Sequence, residues 1–426
     1  VNIGNQSGTE WSQKIIAELN EMPNVIVKNR SQVFGYYDHN MLVMSERIND
    51  HLPKSKKYSP KQRLWYIRAK EVVISSGSIE RPLVFGNNDT PGVVLSSAAK
   101  EYLKVYGVLV GRNPLIFTNN DSGYETAIEF KKNGIWPIIL DTRKNPNSEI
   151  VDEAKRMGID IKFSYVVVAA KGYKKVKSAE IAKISEDKKE LGSIENINCD
   201  CICVSGFWTP TIHLASQSGN KTEFNKEIDA FVPGKSKQNE TTVGSANGVF
   251  TLEETLKTSF ETGHQLSKKI TKNDNKVSIP TVIEKKLTKH DKFWCVPLPK
   301  GKKYKRFLDF QNDVAVTDVE LALREGYRSI EHVKRYTTLG MATDQGKTSN
   351  LNGLQLVSDI ENKIVPSVGH TTFRPPYTPV TIGAIVGREV GKHSKPTRKS
   401  PMHSWHETHN AVFVDAGVWL RPRYYK

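Results

Sequence analysis

The spacing of apolar residues changes along the chain from a strand period to a helix period. Residues 24–85 carry short apolar runs between polar and turn residues, and Val72–Ile74 is typical of a buried strand. From Ser96 the apolar residues recur at helical spacing up to Gly107, which predicts a helix with a glycine stop. The sequence thus predicts a β-rich segment followed by a helix.

A strand–helix–strand pattern comes next. It predicts a strand at 115–117, a helix at 124–133 and a strand at 136–140 that ends in Asp141. An acidic residue about 20 positions beyond the turn is typical of a dinucleotide-binding βαβ unit. We therefore expect a Rossmann-type unit here.

The turn of this unit departs from the usual pattern G-x-G-x-x-G. In "TNNDSG" only Gly123 is kept, and Asn120 stands where the second glycine would let the backbone approach a pyrophosphate. Asp121 adds negative charge at the helix N-terminus, where phosphates would lie. We expect this unit to have lost its ligand.

The glycine-rich turn "TTVGSANG" leads into another predicted helix. Thr251 is expected to cap this helix, with Glu254 completing a capping box. From residue 271 the chain becomes polar and rich in lysine, which predicts a linker.

The stretch "RYTTLGMATDQGKTSN" ends like a Walker A loop. That loop needs the spacing G-x-x-x-x-G-K and a strand in front of it. Gly340 and Gly346 lie one position too far apart, and the preceding pattern predicts two helices that stop at Gly326 and Gly340. The spacing therefore argues against a nucleoside triphosphate site.

Composition argues against several classes of function. The formal charge is +16, but the lysines are scattered among acidic residues, which favours a solvated surface over a nucleic-acid interface. No apolar run approaches about 20 residues, so no membrane span is predicted. The N-terminus shows no signal-peptide pattern.

Neither the cysteines nor the clustered histidines have the spacing of a metal site. Alternating residues of a strand share one face, which favours buried, reduced thiols and a cytoplasmic setting for Cys199, Cys201 and Cys203. Residues spaced by three on a helix spread over about 120°, which argues against one metal-binding face for His403, His406 and His409. No metal ligand is predicted.

The stretch from "FLDFQND" to "DQGKTSN" resembles a small helical module found in amine-oxidising flavoenzymes, similar to a bacterioferritin-associated ferredoxin. Members that hold a two-iron, two-sulfur cluster carry cysteines before the first helix and around the glycine loop. None of the four cysteines of this chain lies there. Since thiolates are the usual cluster ligands, we expect a module without a cluster.

Further motifs extend the resemblance over nearly the whole chain. They are "SGSIERPLVF", "NDTPGVVLSSAAKEYL", "FTNNDSGY", "SGFWTPTIHLASQSG" and "TTFRPPYTPVTIGA". Together with the cluster-free module they resemble the alpha-subunit family of heterotetrameric sarcosine oxidases.

The resemblance implies an α/β fold with two dinucleotide-binding domains like those of disulfide oxidoreductases, the second inserted in the first. The small helical ferredoxin-like module without a cluster follows them. The expected ranges are 1–107 with 199–270 for the first domain, 108–198 for the inserted domain, 271–305 for the linker, 306–365 for the module, 366–400 for a connecting segment and 401–426 for the start of an aminomethyltransferase-like folate domain. On this view the glycine fingerprint of the first domain lies before Val1.

The resemblance also implies a reaction. Family members oxidise sarcosine with O2 and tetrahydrofolate to glycine, methylene-tetrahydrofolate and H2O2. The beta subunit carries FAD and the sarcosine site, FMN is attached to beta at the alpha–beta interface, and alpha binds NAD. The implied partners are the beta, gamma and delta subunits, and no catalytic residue is expected in this segment.

The NAD contacts expected in this segment come from three turns. The candidate residues are Ser76, Gly77, Ser78, Gly206, Thr209, Pro210, Gly244, Ser245, Asn247 and Gly248. The alternative is that these positions are turns that need glycine for conformational reasons.

For the FMN phosphate the loop after the second module helix is the best candidate. Positive charge, hydroxyl groups and a backbone amide can bind phosphate, and they are supplied by Arg335, Gly346, Lys347, Thr348 and Ser349. The alternative is a capped loop with an exposed lysine.

Two other functions compete with this one. The chain could be the large subunit of a related FAD-dependent amine, opine or cyanide-forming glycine dehydrogenase, but those relatives keep the cluster cysteines. It could also be a cofactor-holding scaffold without chemistry of its own.

Overall fold

The computed structural model describes residues 1–53, 59–272, 274, 278–284 and 288–426. The chain divides into two compact units, one made of 1–27, 35–42 and 67–378 and the other of 28–34, 43–66 and 379–426. Parts of the predicted linker, at 273, 275–277 and 285–287, lie outside the described residues.

The first eighty residues are mostly short strands, which confirms the β-rich prediction for 24–85. The elements are β1 (Asn2–Ile3), β2 (Gln6–Ser7), α1 (Gly8–Glu21), β3 (Ser31–Tyr37), β4 (Met41–Arg47), β5 (Gln62–Arg68), β6 (Val72–Ile74) and β7 (Ser78–Glu80). Helix α1 was not predicted, although Ser7 and Glu10 form a capping box in which the Ser7 amide donates to the Glu10 carboxylate at 2.9 Å. Strands β3, β4 and β5 form one sheet in chain order.

The next segment builds the predicted Rossmann-type unit. Its elements are β8 (Val93–Leu95), α2 (Ser96–Tyr106), β9 (Pro114–Thr118), α3 (Ser122–Lys132), β10 (Ile138–Asp141), α4 (Glu149–Arg156), β11 (Asp160–Phe163), β12 (Tyr165–Gly172), β13 (Val176–Ile184), β14 (Leu191–Asn198) and β15 (Cys201–Ser205). The parallel sheet has the order β11-β10-β9-β15-β8, and β12, β13 and β14 form an antiparallel sheet.

The parallel sheet extends beyond the range 108–198 predicted for the inserted domain. Strand β15 pairs with β9 on one side and with β8 on the other, so both flanking strands belong to this sheet. The reason is that parallel strands need a crossover connection between them, so a strand that follows the crossover can return beside a strand that precedes it.

Each strand of the parallel sheet shows one face to helices and the other to the antiparallel sheet. Leu115 and Phe117 pack in one apolar cluster with residues of β12 and β13. Ile116 packs in another cluster with helix residues, as do Cys201 and Cys203, which are fully buried. The alternation of a strand thus places two of the cysteines under helices, and their predicted burial is confirmed.

The chain then returns to the strands near its beginning. The elements are β16 (Trp208–Pro210), α5 (His213–Gln217), β17 (Thr222–Asn225), β18 (Ala230–Pro233), β19 (Glu240–Thr242), the short 3-10 helix Gly244–Asn247, α6 (Leu252–Thr271) and β20 (Val282–Ile283). Strand β16 pairs antiparallel with β7, and β19 pairs parallel with β6. Elements from both ends of the predicted first domain are therefore adjacent, which confirms that the Rossmann-type unit is an insertion.

A small helical module follows. Its elements are β21 (Phe307–Asp309), β22 (Val314–Ala315), α7 (Val316–Arg324), α8 (Ile330–Thr337), α9 (Asn350–Ile360) and α10 (Val365–Val368). Their apolar faces share one buried cluster with Ile212, Phe231 and Trp294 from outside the module. The predicted fold class is confirmed, with the module seated on the returning part of the first domain.

The C-terminal segment of the second unit contains short helices and a sheet. They are α11 (Ile382–Val386), the 3-10 helix Gly391–His393, β23 (Arg398–Lys399), α12 (His403–Thr408), β24 (Ala411–Ala416) and β25 (Trp419–Tyr425). The sheet has the order β23-β25-β24.

Candidate functional site

Two of the predicted NAD turns lie side by side. In the pairing of β7 with β16, Ser78 stands opposite Pro210 and Ile79 opposite Thr209. Just outside the strands, the Ser76 hydroxyl donates to the Thr211 carbonyl at 2.9 Å, and the Thr211 hydroxyl donates to the Ser76 carbonyl at 2.8 Å. These reciprocal bonds hold the turn at 76–78 against the segment 209–211.

The third predicted turn, Gly244–Asn247, joins this pair. The Val243 amide donates to the Ile74 carbonyl at 2.9 Å, which brings the end of β19 beside the end of β6. A Cβ placed on Gly77, whose φ is +77°, would have the Ser245 hydroxyl oxygen as its nearest neighbour at 4.0 Å. Open space thus borders Gly77 and Ser245, and we call residues 76–78, 209–211 and 244–248 the turn cluster.

Packing alone explains two of the glycines that were predicted to contact NAD. A Cβ on Gly206 would lie 2.8 Å from the Arg81 carbonyl oxygen. A Cβ on Gly248, whose φ is +80°, would lie 2.9 Å from Ile228 Cδ1. Both positions need glycine whether or not a ligand is present.

The N-terminus of α6 is capped differently from the prediction. The Thr251 side chain makes no capping bond. Instead the Glu284 carboxylate accepts from the amides of Leu252 and Glu253, each at 2.9 Å. This carboxylate occupies the donors that a phosphate would use at that helix end.

The turn of the Rossmann-type unit is filled by its own side chains. Arg143 is buried, and its Nη1 donates to Asp121 at 2.8 Å while its Nη2 donates to Asp141 at 2.9 Å. The Tyr124 hydroxyl donates to Asp141 at 2.7 Å. Burial raises the pKa of Asp141, and the Arg143 guanidinium opposes that shift. The carboxylate that would bind a ribose therefore already has partners.

The loop after α8 is shaped by Asn350. A Cβ on Gly340 or on Gly346 would lie 2.2 Å or 2.1 Å, respectively, from the Asn350 Oδ1 atom. Both glycines also have positive φ, +66° and +72°. The two glycines that looked like part of a Walker loop thus make room for a carboxamide.

Asp309 ties this loop to the start of the module. Its carboxylate accepts from the Gly340 amide at 2.7 Å and from the Gln311 amide at 2.9 Å. Asp309 is buried and lies in the stretch where cluster-binding relatives were expected to have cysteine. A carboxylate therefore satisfies backbone amides at this end of the module.

The predicted FMN-phosphate residues are only partly brought together. Lys347 is half-buried with Nζ 4.6 Å from the centre of the Tyr377 ring, and Ser349 is buried at the start of α9. Arg335 is exposed on α8 and pairs with Glu331 of the same helix at 3.2 Å. No contact places the Arg335 guanidinium with Lys347 among the described residues.

Lys347 and Thr209 line the same pocket, which was not foreseen from the sequence. We call it the β16–α9 pocket, and its walls are Ile79, Thr209, Pro210, Thr211, Ile212, Phe231, Gly346, Lys347, Asn350, Leu351, Leu354, His370, Thr371, Phe373 and Tyr377. Residues from the predicted NAD set and from the predicted FMN set therefore face one space.

Burial disfavours the charged forms of the titratable groups at and beside the β16–α9 pocket. His213 stacks on the Tyr377 ring at 3.8 Å between centroids, and burial together with the Lys347 charge lowers the His213 pKa to about 3. Burial lowers the pKa of His370 to about 4. Burial also lowers the pKa of Lys347, although Asp344 opposes this shift. A cation at Lys347 is thus poorly solvated.

Within the described ranges the structure shows neither a cluster of three potential metal-ligating side chains nor a helix long and apolar enough to span a membrane. The histidines of α12 have separate neighbours: His403 is buried against Phe413, and His406 contacts Tyr425.

Curated proteins similar in sequence to this chain share one family name. The family model described as Sarcosine oxidase A3 domain matches residues 303–388, which contain the helical module. The sarcosine oxidase subunit alpha of Rhizobium meliloti (strain 1021) is 36% identical over 430 residues, which cover 99% of this chain and 42% of that protein. The chain belongs to the sarcosine oxidase alpha-subunit family.

A second curated relative agrees. The sarcosine oxidase subunit alpha of Corynebacterium sp. (strain P-1) is 33% identical over 432 residues, covering 99% of this chain and 44% of that protein. The chain thus spans less than half the length of these curated relatives. Among solved structures, L-proline dehydrogenase from P. horikoshii is similar in fold, with a TM-score of 0.63, 20% identity and coverage of 89% of this chain and 69% of that one.

Several residues of the site were missed by sequence reasoning. They are Thr211, His213, Glu284, Thr371 and Tyr377. Thr211 and His213 lie in the motif "SGFWTPTIHL", where the spacing of polar residues in a strand end could have singled them out. Glu284, Thr371 and Tyr377 act on parts of the chain about 30 or more positions away, and no local signal in the sequence marks them.

Proposed function

We propose that this chain is the cofactor-holding part of the alpha subunit of a heterotetrameric sarcosine oxidase. The complex would convert sarcosine, O2 and tetrahydrofolate to glycine, H2O2 and methylene-tetrahydrofolate in the cytoplasm. Its beta subunit would supply the FAD and the amine site, the gamma and delta subunits would be further partners, and the one-carbon chemistry would lie outside this segment. The observation that carries the proposal is the turn cluster, in a chain related over nearly its whole length to such subunits.

The turn cluster supports a role in NAD binding. It offers hydroxyls and backbone amides around the open space beside Gly77 and Ser245, and these groups can bond ribose and phosphate oxygens. Ser78, Thr209 and Pro210 would form the floor through the paired strands β7 and β16. The residues of the turn cluster would bind and orient NAD, and they would take no part in chemistry.

The Rossmann-type unit would carry no dinucleotide. Asp141 and Asp121 share the Arg143 guanidinium, so a ribose or a phosphate would have to displace a buried ion pair. This supports placing NAD in the first domain rather than in the insertion.

The FMN phosphate is proposed to lie against Gly346, Lys347, Thr348 and Ser349. Lys347 supplies the charge, and the start of α9 supplies helix-dipole attraction for an anion. Arg335 has weaker support because its guanidinium already pairs with Glu331.

The test is the nucleotide content of the intact complex, purified with all subunits. We expect NAD, FMN and FAD to be released on denaturation. Ser245→Asp should lower the NAD content several-fold because the new carboxylate would face a pyrophosphate, and Lys347→Ala should lower the FMN content.

Matched controls separate these effects from misfolding. Ser267→Asp changes an exposed serine of α6 and should leave NAD unchanged. A complex that contains FAD with iron and no NAD would contradict the proposal and favour the related dehydrogenases. Unchanged NAD in Ser245→Asp would remove the turn cluster as the site.

A further inference from the structure

Several buried polar atoms at and beside the β16–α9 pocket have no hydrogen-bond partner among the described residues. Thr209 and Thr371 line the pocket, and neither of their hydroxyls has a hydrogen-bond partner among the described residues. The Ser349 hydroxyl and His213 Nδ1, beside lining residues, are also buried without a partner there. A buried polar group without a partner has given up its hydrogen bonds to water without replacing them, so a set of such groups at one place indicates a site where a ligand can bind.

The donors come from separate parts of the chain. Thr209 belongs to β16, Ser349 precedes α9 directly, and Thr371 follows α10. Thr371 is 3% exposed and Ser349 is 2% exposed. Three segments that are distant in sequence thus contribute buried hydroxyl groups: Thr209 and Thr371 line the pocket, and Ser349 directly precedes the lining residue Asn350.

Lys347 adds a half-buried positive charge. Its ammonium group lies over the Tyr377 ring and forms no ion pair with a carboxylate among the described residues. Burying an unpaired cation is unfavourable, whereas an anion in the pocket would compensate it. A neighbouring negative group is Asp344, which already accepts from the Gly346 amide at 3.1 Å.

One buried acceptor near the pocket does not oppose an anion. Asn350 Oδ1 also has no partner among the described residues, but it lies against the Cα atoms of Gly340 and Gly346. The Asn350 amide nitrogen donates to the Gln345 carbonyl at 2.8 Å, which fixes the direction of the carboxamide. Its oxygen is therefore held within the loop.

We propose that the β16–α9 pocket binds the phosphate group of a phosphate monoester through Thr209, Thr371, Ser349 and Lys347. Three hydroxyls, one ammonium group and the start of a helix supply donors in several directions, which suits a tetrahedral oxyanion better than a planar carboxylate. The rings of Phe231, Phe373 and Tyr377 form apolar walls for the ester's body. The inference rests on the proposed phosphate role of Lys347 and reassigns the Thr209 side chain from NAD to the phosphate.

The experiment titrates the full chain with inorganic phosphate and with phenyl phosphate, at matched ionic strength in chloride, by calorimetry. Both should bind, and phenyl phosphate should bind more tightly because its ring is buried. Thr371→Val and Thr209→Val should each weaken binding by about 2–10-fold, and Lys347→Met by about 10–100-fold.

Stability separates binding from folding in these variants. Because the Thr371 hydroxyl has no hydrogen-bond partner in the part of the chain that the structure describes, Thr371→Val should leave the thermal midpoint of the ligand-free chain equal or higher while weakening phosphate binding. The controls are Thr372→Val and Lys303→Met, which change exposed residues outside the pocket and should bind phosphate normally.

Two results would overturn the inference. One is the absence of binding by both phosphates at millimolar concentration, and the other is binding that Thr371→Val and Lys347→Met leave unchanged. If both compounds bind as expected while Lys347→Ala keeps its FMN in the intact complex, the phosphate pocket stands and the FMN proposal fails.

Discussion

At the scale of single residues, Arg143 decides what the Rossmann-type unit can bind. Its side chain is 8% exposed and pairs with Asp121 and Asp141, which are 3% and 0% exposed. The sequence showed that Asp121 was wrong for a phosphate, but Arg143 was not foreseen as its partner. The spacing of residues in the turn shows that the glycine fingerprint is lost, but it does not show which side chain now fills the ligand's place.

Replacing Arg143 should therefore be costly. Arg143→Met leaves two buried carboxylates without their cation and should lower the free energy of unfolding by about 3–5 kcal/mol, measured by urea denaturation. Arg156→Met, on the exposed side of α4, should change it by less than about 0.5 kcal/mol. Equal effects of the two substitutions would show that the ion pairs contribute little.

At the scale of elements, hydrophobic spacing predicted the helix from Ser96 and the strand–helix–strand pattern that follows it to within two residues. Helix α2 was expected from about Ser96 with a stop at Gly107 and is observed at Ser96–Tyr106, with Gly107 in the left-handed conformation at φ 64°. Helix α1 was missed although its capping box is visible in the sequence, because none of its residues is buried and its apolar pattern is weak. Elements held by packing are predictable from periodicity, and exposed ones depend on caps.

The cap of α6 shows where such prediction fails. The capping box at Thr251 and Glu254 fits the local sequence, yet Glu284 provides the bonds from a segment about 30 positions later. Glu284→Ala should destabilise the chain by about 1 kcal/mol in urea unfolding, and Thr251→Ala by clearly less. If Thr251→Ala destabilised the chain more than Glu284→Ala, the capping box of Thr251 and Glu254 would be the cap that stabilises α6.

At the scale of the whole molecule, the candidate site depends on chain segments that are distant in sequence. The β16–α9 pocket needs Thr209, Lys347 and Thr371, and no periodicity relates these positions. The sequence predicted that Thr209 and Lys347 bind cofactors, but it assigned them to different ones. Their common pocket could be found only from the fold, because the packing of the helical module against Ile212 and Phe231 brings these segments together.

The free energy of unfolding of the whole chain should depend on pH because His213, beside this pocket, is buried. The pKa of His213 falls to about 3 in the folded state because burial and Lys347 disfavour its charge. The unfolded chain then binds a proton below about pH 6.5 that the folded chain does not, so stability is lost as the pH falls. Between pH 6.5 and pH 5 this residue should cost about 1.5 kcal/mol of unfolding free energy.

His213→Phe, which keeps a ring against Tyr377, should remove that share of the pH dependence, measured by urea unfolding at each pH. His393→Gln changes an exposed histidine and should leave the wild-type slope intact. His370, whose pKa falls to about 4 by burial, should keep the same sign of dependence in the His213 variant. A wild-type slope in His213→Phe would mean that His213 becomes protonated in the folded chain, and the pocket would then be more polar than its lining indicates.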